Sequence, residues 1–177
     1  MSILKVELYP APVLREKAKV VEEVNDEVLQ LLDDMEETME NCNGAGLAAN
    51  QVGVLKRVMI VDLGLDGGEK KIVHFINPEL VESEGESVRE EGCLSFPKLF
   101  DKVKRPYRAV VRALGRDGKP FELQGEGYVT HALLHELDHL DGVLFIDRIS
   151  TIRREIIKRK IKKMMKEGEW VTTCPEE

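Results

Sequence analysis

Apolar residues recur with the period of an α-helix in three parts of the chain. The first pattern starts after Asn25, a residue type that can cap a helix, and continues to about Cys42. The second pattern, over residues 128–140, predicts a buried helix. Ser150 or Thr151 can cap a third helix that ends at about residue 167. The third helix is predicted to pack through one apolar stripe, formed by Ile152, Ile156, Ile161 and Met164.

The middle of the chain shows the composition of β-strands instead. Two β-rich runs, VMIVDL and KIVHFI, are separated by the turn residues Asp66-Gly67-Gly68. Two further runs, YRAVVRAL and KPFEL, flank Asp117-Gly118, which is typical of a β-hairpin. We therefore expect one α+β domain over residues 1–177, in which antiparallel β-sheets surround the second helix. The other two helices would lie near the N-terminus and the C-terminus.

Composition narrows the class of protein further. The 177 residues are 42% hydrophobic and 33% charged, which suits a globular rather than a disordered chain. The first residues lack the apolar core of a signal peptide and no apolar run could span a bilayer, so we expect a cytoplasmic protein without a membrane partner. A net charge of −7 disfavours DNA binding. Three cysteines (Cys42, Cys93 and Cys174) are too few and too odd in number to suggest a disulfide framework.

The stretch HALLHELDHLDG places His135 and His139 four residues apart on the second predicted helix. Residues at that spacing share one helix face, with Cβ atoms roughly 5–6 Å apart, so two imidazoles can approach one cation. Glu136 follows the first histidine and can reach a water molecule on that cation, which is the mechanical basis of the H-E-x-x-H motif. The alternative is a solvated face with incidental histidines, which the buried character of this helix disfavours.

Two histidines make only half of a tetrahedral site, so a third ligand is needed. His131 continues the spacing, but three side chains spread over about 12 Å of helical rise cannot easily meet at one ion. Cys93 alone would be read as a buried structural cysteine, yet beside an incomplete histidine pair its thiolate is the favoured ligand. Acidic residues downstream are the remaining candidates: Asp141, Asp147 and Glu155.

Three short stretches now bear on the choice: GAGLAANQ (44–51), EGCLS (91–95) and HELDH (135–139). In this order and at these separations they resemble the motifs of the peptide deformylases, and the resemblance covers nearly the whole chain. It implies that Cys93, His135 and His139 hold the metal. It also implies that Glu136 is the catalytic acid and base.

By the same resemblance, the side-chain amide of Gln51 and the backbone N–H of Leu94 stabilise the oxyanion. The implied reaction is the attack of a metal-bound hydroxide on the formyl carbon of N-formylmethionine, at the start of a new polypeptide, with release of formate. Fe(II) is the native ion that the resemblance implies, and Ni(II), Co(II) or Zn(II) are possible substitutes. The chain would therefore be a hydrolase of N-terminal processing during protein biosynthesis.

The resemblance also indicates where the substrate lies. Glycines without Cβ atoms would let a substrate backbone approach, as an added strand beside the segment 44–46. His131 would make the methionine pocket more polar than usual; the alternative is that it caps the helix start or faces solvent. Arg89 stands where an apolar pocket residue is common. The expected substrate-binding residues are Gly46, Ala45, Gly92, Arg89, Tyr128, His131 and Ala132.

Two charged features have weaker interpretations. Glu91 and Arg105 could form an ion pair that braces the Cys93 loop, or a surface pair that contributes little. The basic residues over 150–167 could be a solvated face or a surface that docks on the ribosome. Two other functions remain as alternatives, a zinc peptidase that cleaves internal peptide bonds and a non-catalytic metal-binding protein. Intact Glu136 and Gln51 argue against the second of them.

Overall fold

Seven strands and three α-helices make up the fold in a computed structural model that describes residues 2–175. The helices are α1 (Asp26–Asn41), α2 (Tyr128–Leu140) and α3 (Thr151–Lys166). The strands are β1 (Gly46–Ala48), β2 (Val58–Asp62), β3 (Ile72–Glu84), β4 (Ser87–Cys93), β5 (Phe96–Arg105), β6 (Arg108–Leu114) and β7 (Pro120–Glu126). The α+β class is confirmed. None of the helices among these residues is long and apolar enough to cross a membrane.

The three predicted helices form, and their first turns explain where they begin. The side chain of Asn25 accepts a hydrogen bond from the backbone N–H of Val28, and that of Ser150 accepts one from Arg153. Each cap satisfies a donor that the first helical turn leaves unpaired. Ser150 rather than Thr151 is therefore the cap of α3.

The predicted apolar stripe of α3 is wrong in its first half. Ile152 is 75% exposed and Ile156 is 46% exposed, whereas Ile157 and Ile161 are buried. The start of α3 is held by Arg153, whose guanidinium bonds Asp101 and the carbonyl of Lys102 on β5. That contact turns the face containing Ile157 and Ile161 towards the core.

The larger sheet is antiparallel throughout, with the strand order β1-β2-β3-β6-β7. Successive residues of a strand point to opposite faces, so β2 serves two cores. Met59 and Val61 pack with α2, while Val58 and Ile60 pack with α1. The predicted hairpin is confirmed as β6-β7, and the sheet therefore holds α2 firmly along one face.

Strands β4 and β5 form a separate two-stranded sheet that the sequence pattern does not predict. Phe96, at the start of β5, packs against Tyr9 and Phe145 in a third core, with ring centroids 5.0 Å apart in both pairs. The register shifts between Gly92 and Cys93, where β4 ends. This end of the hairpin brings Cys93 to α2.

The cysteines depart from the expectation of no disulfide. Cys42, just after α1, is bonded to Cys174, and their Cα atoms lie 4.4 Å apart. The C-terminal segment returns to the end of α1, where the amide of Asn41 also donates to the carbonyl of Pro175. A sequence separation of 132 residues hides this proximity, because it depends on the tertiary fold. Cys93 is the free cysteine among residues 2–175.

Candidate metal centre

The helix α2 and the end of β4 bring three soft donor atoms together. The Nε2 atoms of His135 and His139 lie 3.2 Å apart, and the Sγ atom of Cys93 lies 3.3 Å from Nε2 of His139. All three donors lie within 4.8 Å of one another. One turn of helix supplies both imidazoles, and the hairpin supplies the thiol.

These separations suit a tetrahedral metal ion. Metal–nitrogen and metal–sulfur bonds of about 2.0–2.3 Å place adjacent tetrahedral ligands roughly 3.3–3.6 Å apart. One thiolate and two imidazoles also form the mixed sulfur and nitrogen set that binds Zn, Fe or Ni. The residues present therefore fit a divalent ion held by Cys93, His135 and His139. The acidic alternatives Asp141 and Asp147 are engaged elsewhere, in ion pairs with Arg57 and Arg15.

Glu91 lies beneath this centre and orients it. Its carboxylate, on β4, is 7% exposed and accepts hydrogen bonds from Nδ1 of His135 at 2.9 Å and Nδ1 of His131 at 2.6 Å. Arg105 donates to the same carboxylate from Nε at 2.6 Å and Nη2 at 2.9 Å. With Nδ1 of His135 occupied as a donor, Nε2 is the nitrogen left for a metal. The predicted pair of Glu91 and Arg105 is confirmed, and it is buried rather than on the surface.

The hydrogen bonds to Glu91 outweigh its burial. Burial alone raises the pKa of a carboxyl group, yet donors from His131, His135 and Arg105 together hold the pKa of Glu91 far below its usual range. Glu91 is therefore ionised at every physiological pH. Arg105 also donates to Asp138 at 2.9 Å, and Asp138 is paired in turn with Arg148. The network thus extends from the metal ligands to the surface.

The two histidines differ in the metal-free protein. Burial lowers the pKa of His135, but hydrogen bonds with Cys93 and Glu91 overcome it and hold that pKa well above the usual value. Burial and the neighbouring charge of His135 hold the pKa of His139 well below the usual value. His139 is therefore neutral and ready to bind, whereas a metal must displace a proton from His135.

Glu136 follows His135 on α2 and lines the open cleft, although it is only 5% exposed. Its Oε2 atom has no hydrogen-bond partner among the described residues. Burial, aided by the negative charge of Glu91 and opposed by His135, raises its pKa to about 7. A carboxyl group with that pKa can both accept and return a proton near neutral pH.

Gly46 leaves the space that Glu136 fills. A Cβ atom at Gly46 would lie 2.7 Å from Oε1 of Glu136, so any larger residue would displace the carboxylate. The absent side chain therefore makes room for the acid itself, rather than only for a substrate backbone. Gly92 also leaves space for a neighbouring side chain, since a Cβ atom there would lie 2.4 Å from the ring of Phe100.

Gln51 reaches the centre from a short 3-10 helix, Ala49–Val52. Its Oε1 accepts the backbone N–H of Ala48 at 3.0 Å, which fixes the amide orientation. Its Nε2 then points to Ser95 Oγ at 3.2 Å and Cys93 Sγ at 3.5 Å. Leu94, between those two residues, also lines the cleft. Ser95 is fully buried; the sequence reasoning missed its role in holding Gln51, although it lies within the EGCLS stretch.

A cleft of about 570 Å³ opens in front of the donors. Arg89 packs on Tyr128, a residue of the cleft lining, with its guanidinium carbon 4.0 Å from the centre of that ring. His131 is 3% exposed, so the interpretation of a solvent-facing residue is wrong. Six of the seven expected substrate-binding residues line the cleft, namely Ala45, Gly46, Gly92, Tyr128, His131 and Ala132.

Comparisons with known proteins agree with this geometry. The family model described as polypeptide deformylase matches residues 3–155. A peptide deformylase of Syntrophobacter fumaroxidans is 50% identical over 95% of this chain and 99% of its own. The crystal structure of a peptide deformylase from Legionella pneumophila superposes with a TM-score of 0.87, at 41% identity, over 94% of this chain and 98% of that one. The deformylase of Ehrlichia chaffeensis in complex with actinonin gives a TM-score of 0.86, at 34% identity, over 92% and 98%.

Proposed function

The chain belongs to the polypeptide deformylase family, and from that premise we propose that it hydrolyses the formamide of N-formylmethionine on new polypeptides, releasing formate. The observation that supports this most strongly is geometric: three metal donors converge in an open cleft that is also lined by Glu136, a buried carboxyl group with an unpartnered oxygen. We propose that one catalytic domain performs the reaction, in the cytoplasm where such chains are made.

Cys93, His135 and His139 would hold the divalent ion. The chemistry supplied by such an ion, when bound, is Lewis acidity, which makes water nucleophilic near neutral pH. We propose Fe(II) as the native ion because the family resemblance implies it; Ni(II), Co(II) or Zn(II) would be substitutes, since a thiolate with two imidazoles can hold them as well. The Nδ1 bond from His135 to Glu91 keeps that ring in one orientation during turnover.

Glu136 would move the protons. In its ionised form it takes a proton from the attacking water, and in its protonated form it delivers that proton to the leaving amine. In the metal-free protein, burial raises the pKa of this carboxyl group to about 7, so it holds a proton more readily than an ordinary glutamate does. The Oε2 atom without a partner is free to receive the proton.

Gln51 and Leu94 would stabilise the charge that develops on the formyl oxygen. The side chain of Gln51 is held by Ala48 and Ser95, so its Nε2 donor is fixed before the substrate arrives. Fixed donors at the position of a developing oxyanion each contribute roughly 10²–10³ in rate. The backbone N–H of Leu94 would be the second donor.

The substrate would lie along the segment 44–46, with its methionine side chain among Tyr128, His131 and Ala132. His131 donates a hydrogen bond from Nδ1 to Glu91, while its Nε2 is buried without a partner among residues 2–175. An unpaired polar atom in such a pocket favours a substrate side chain that can bond it. We therefore propose that this enzyme tolerates polar residues at the methionine position.

The positive face of α3 would dock on ribosomal RNA near emerging chains. Arg159, Lys160, Lys162, Lys163 and Lys166 are exposed, and none has an ion-pair partner in the described part of the chain. Unpaired surface cations bind phosphates in a salt-dependent manner. Binding to purified ribosomes should weaken as salt rises, and replacing these residues by glutamate should abolish it. Binding unchanged by that replacement would refute the docking.

The direct test of the reaction is formate release from a short formyl-methionyl peptide. Protein would be prepared without oxygen and loaded separately with Fe(II), Ni(II), Co(II) or Zn(II). We expect formate with at least one ion and no cleavage of the same peptide without its formyl group. Internal cleavage would favour a zinc peptidase. Folded, metal-loaded protein that releases no formate would refute the proposed function.

A further inference from the structure

The C-terminal segment after α3 is attached to the body of the protein at three points, one of which is the hydrogen bond from the Asn41 amide to the Pro175 carbonyl. The indole N–H of Trp170 donates to the carbonyl of Tyr9 at 2.7 Å. Beyond it, the residues 171–175, here called the tail, run past the N-terminal residues Ile3–Leu8 to the disulfide between Cys174 and Cys42. Within the tail, Val171 and Thr173 are exposed, so little apolar burial holds it in place. The disulfide is therefore the main attachment of the tail.

The tail reaches the cleft that contains the metal centre. Thr173 lines this cleft, and so does Cys42, the residue to which the tail is bonded. Gly46 lies against Glu136 at the reacting end of the same wall. From Gly46 the wall continues through Gly44 and Asn43 to Cys42, away from the chemistry. A peptide pairing along this wall, with its formyl group near Glu136, would place its later residues beside the tail.

We propose that the tail, held by the Cys42–Cys174 disulfide, is the outer wall of the substrate cleft and favours longer peptides over short ones. The inference rests on the proposed deformylation. A tail that is attached at both ends already holds Thr173 in place, so binding a peptide there costs no further conformational entropy. A tail that is free at one end must first be ordered by the substrate. Peptides too short to reach Thr173 gain nothing from the wall.

The test compares wild-type protein with Cys174→Ser, both metal-loaded, on a formyl-methionyl dipeptide and a formyl-methionyl hexapeptide. For the hexapeptide we expect kcat/KM to fall about threefold to tenfold in the variant, through KM, as for one or two lost contacts. For the dipeptide we expect no change, because Cys174 lies outside the cleft lining. A Thr173→Ala variant, which keeps the disulfide, should show part of the hexapeptide loss.

Three readouts do not depend on activity. Unfolded, metal-stripped wild-type protein should contain one reactive thiol, that of Cys93, and Cys174→Ser should contain two. Hydrogen exchange should accelerate in the tail of the variant, while Trp170 fluorescence stays unchanged. Three thiols in the wild type would overturn the inference.

The kinetic outcomes separate this inference from the proposed function. Equal losses on both peptides, or no loss on either, would overturn the wall while leaving deformylation intact. A lower KM for the hexapeptide in the variant would also overturn it, since the tail would then obstruct the cleft. Formate from neither peptide with wild-type protein would overturn the proposed function, and the length preference with it.

Discussion

Two buried glutamates flank the same metal donors, and their surroundings are opposite. Glu91, beneath the donors, accepts hydrogen bonds from His131, His135 and Arg105, which hold its pKa far below the usual range. Glu136 has an oxygen without a partner among the described residues, and its burial raises its pKa to about 7 in the metal-free protein. The number of donors, rather than burial, decides which carboxylate stays charged and positions the ligands. The other is left able to carry a proton.

Replacing the proton carrier should have the largest effect. Glu136→Gln removes the base while keeping shape, so turnover should fall about 10²–10⁴-fold. Metal content, measured after anaerobic loading, should stay at the wild-type level because Glu136 is not a ligand. Glu126→Gln, an exposed change on β7, is the matched control and should leave turnover unchanged. Retained turnover in Glu136→Gln would refute the proposed role of Glu136 as the proton carrier.

Replacing the positioning carboxylate should act on metal affinity and stability together. Glu91→Gln removes the bidentate charge partner of buried Arg105 and leaves it only the pair with Asp138, which costs about 3–5 kcal/mol in the free energy of unfolding. The amide keeps only one acceptor oxygen and no charge, so His135 is oriented less firmly and metal binding should weaken about 10–100-fold. Denaturant unfolding and competition with a chelator measure the two effects. The neighbouring exposed residue provides the control, since Glu90→Gln should change neither.

Removing a single donor from Glu91 should have an intermediate effect. His131→Ala deletes the hydrogen bond of 2.6 Å and should destabilise the metal-free protein by about 1.5–3 kcal/mol. It also removes the polar atom of the methionine pocket, so the preference for formyl-methionine over formyl-glutamine should rise. Relative kcat/KM on the two peptides measures that preference. An unchanged preference would place His131 in the support of Glu91 alone.

The outer end of the network should contribute least. Arg148 pairs with Asp138, but its side chain is 48% exposed, so solvent screens the pair. Arg148→Ala should lower the free energy of unfolding by less than about 1 kcal/mol, with metal affinity intact. A loss of stability as large as that of Glu91→Gln would contradict the expectation that exposed pairs of this network contribute less than buried ones.

Local pattern was enough to predict the parts of the fold that depend on neighbouring residues. The helices α1 and α2 and the hairpin β6-β7 follow from periodicity, caps and a turn. The convergence of Cys93 with the two histidines of α2 required three motifs read together, because no local pattern relates them. The resemblance to the deformylases identified the third ligand, which residue spacing alone left open.

Features that depend on distant contacts were not predictable from pattern. The hairpin β4-β5 was missed, since polar residues and glycine interrupt β4. The four donors around Glu91 come from two elements, α2 and β5, that are distant from it in sequence, so the sequence suggested only its pair with Arg105. The start of α3 is exposed because Arg153 bonds Asp101 on β5. The disulfide forms because the C-terminal tail returns to the end of α1. In each case the tertiary fold decided the outcome.

The most direct test of the central claim is the titration of both carboxyl groups in one sample. Carbon NMR of protein labelled at glutamate side chains, without metal, would follow each resonance between about pH 5 and pH 8. Glu136 should change from protonated to ionised with a midpoint near about 7, and Glu136→Gln should remove that transition. Glu91 should remain ionised throughout. A Glu136 already ionised at the lowest pH, or a Glu91 that titrates in this range, would contradict the account.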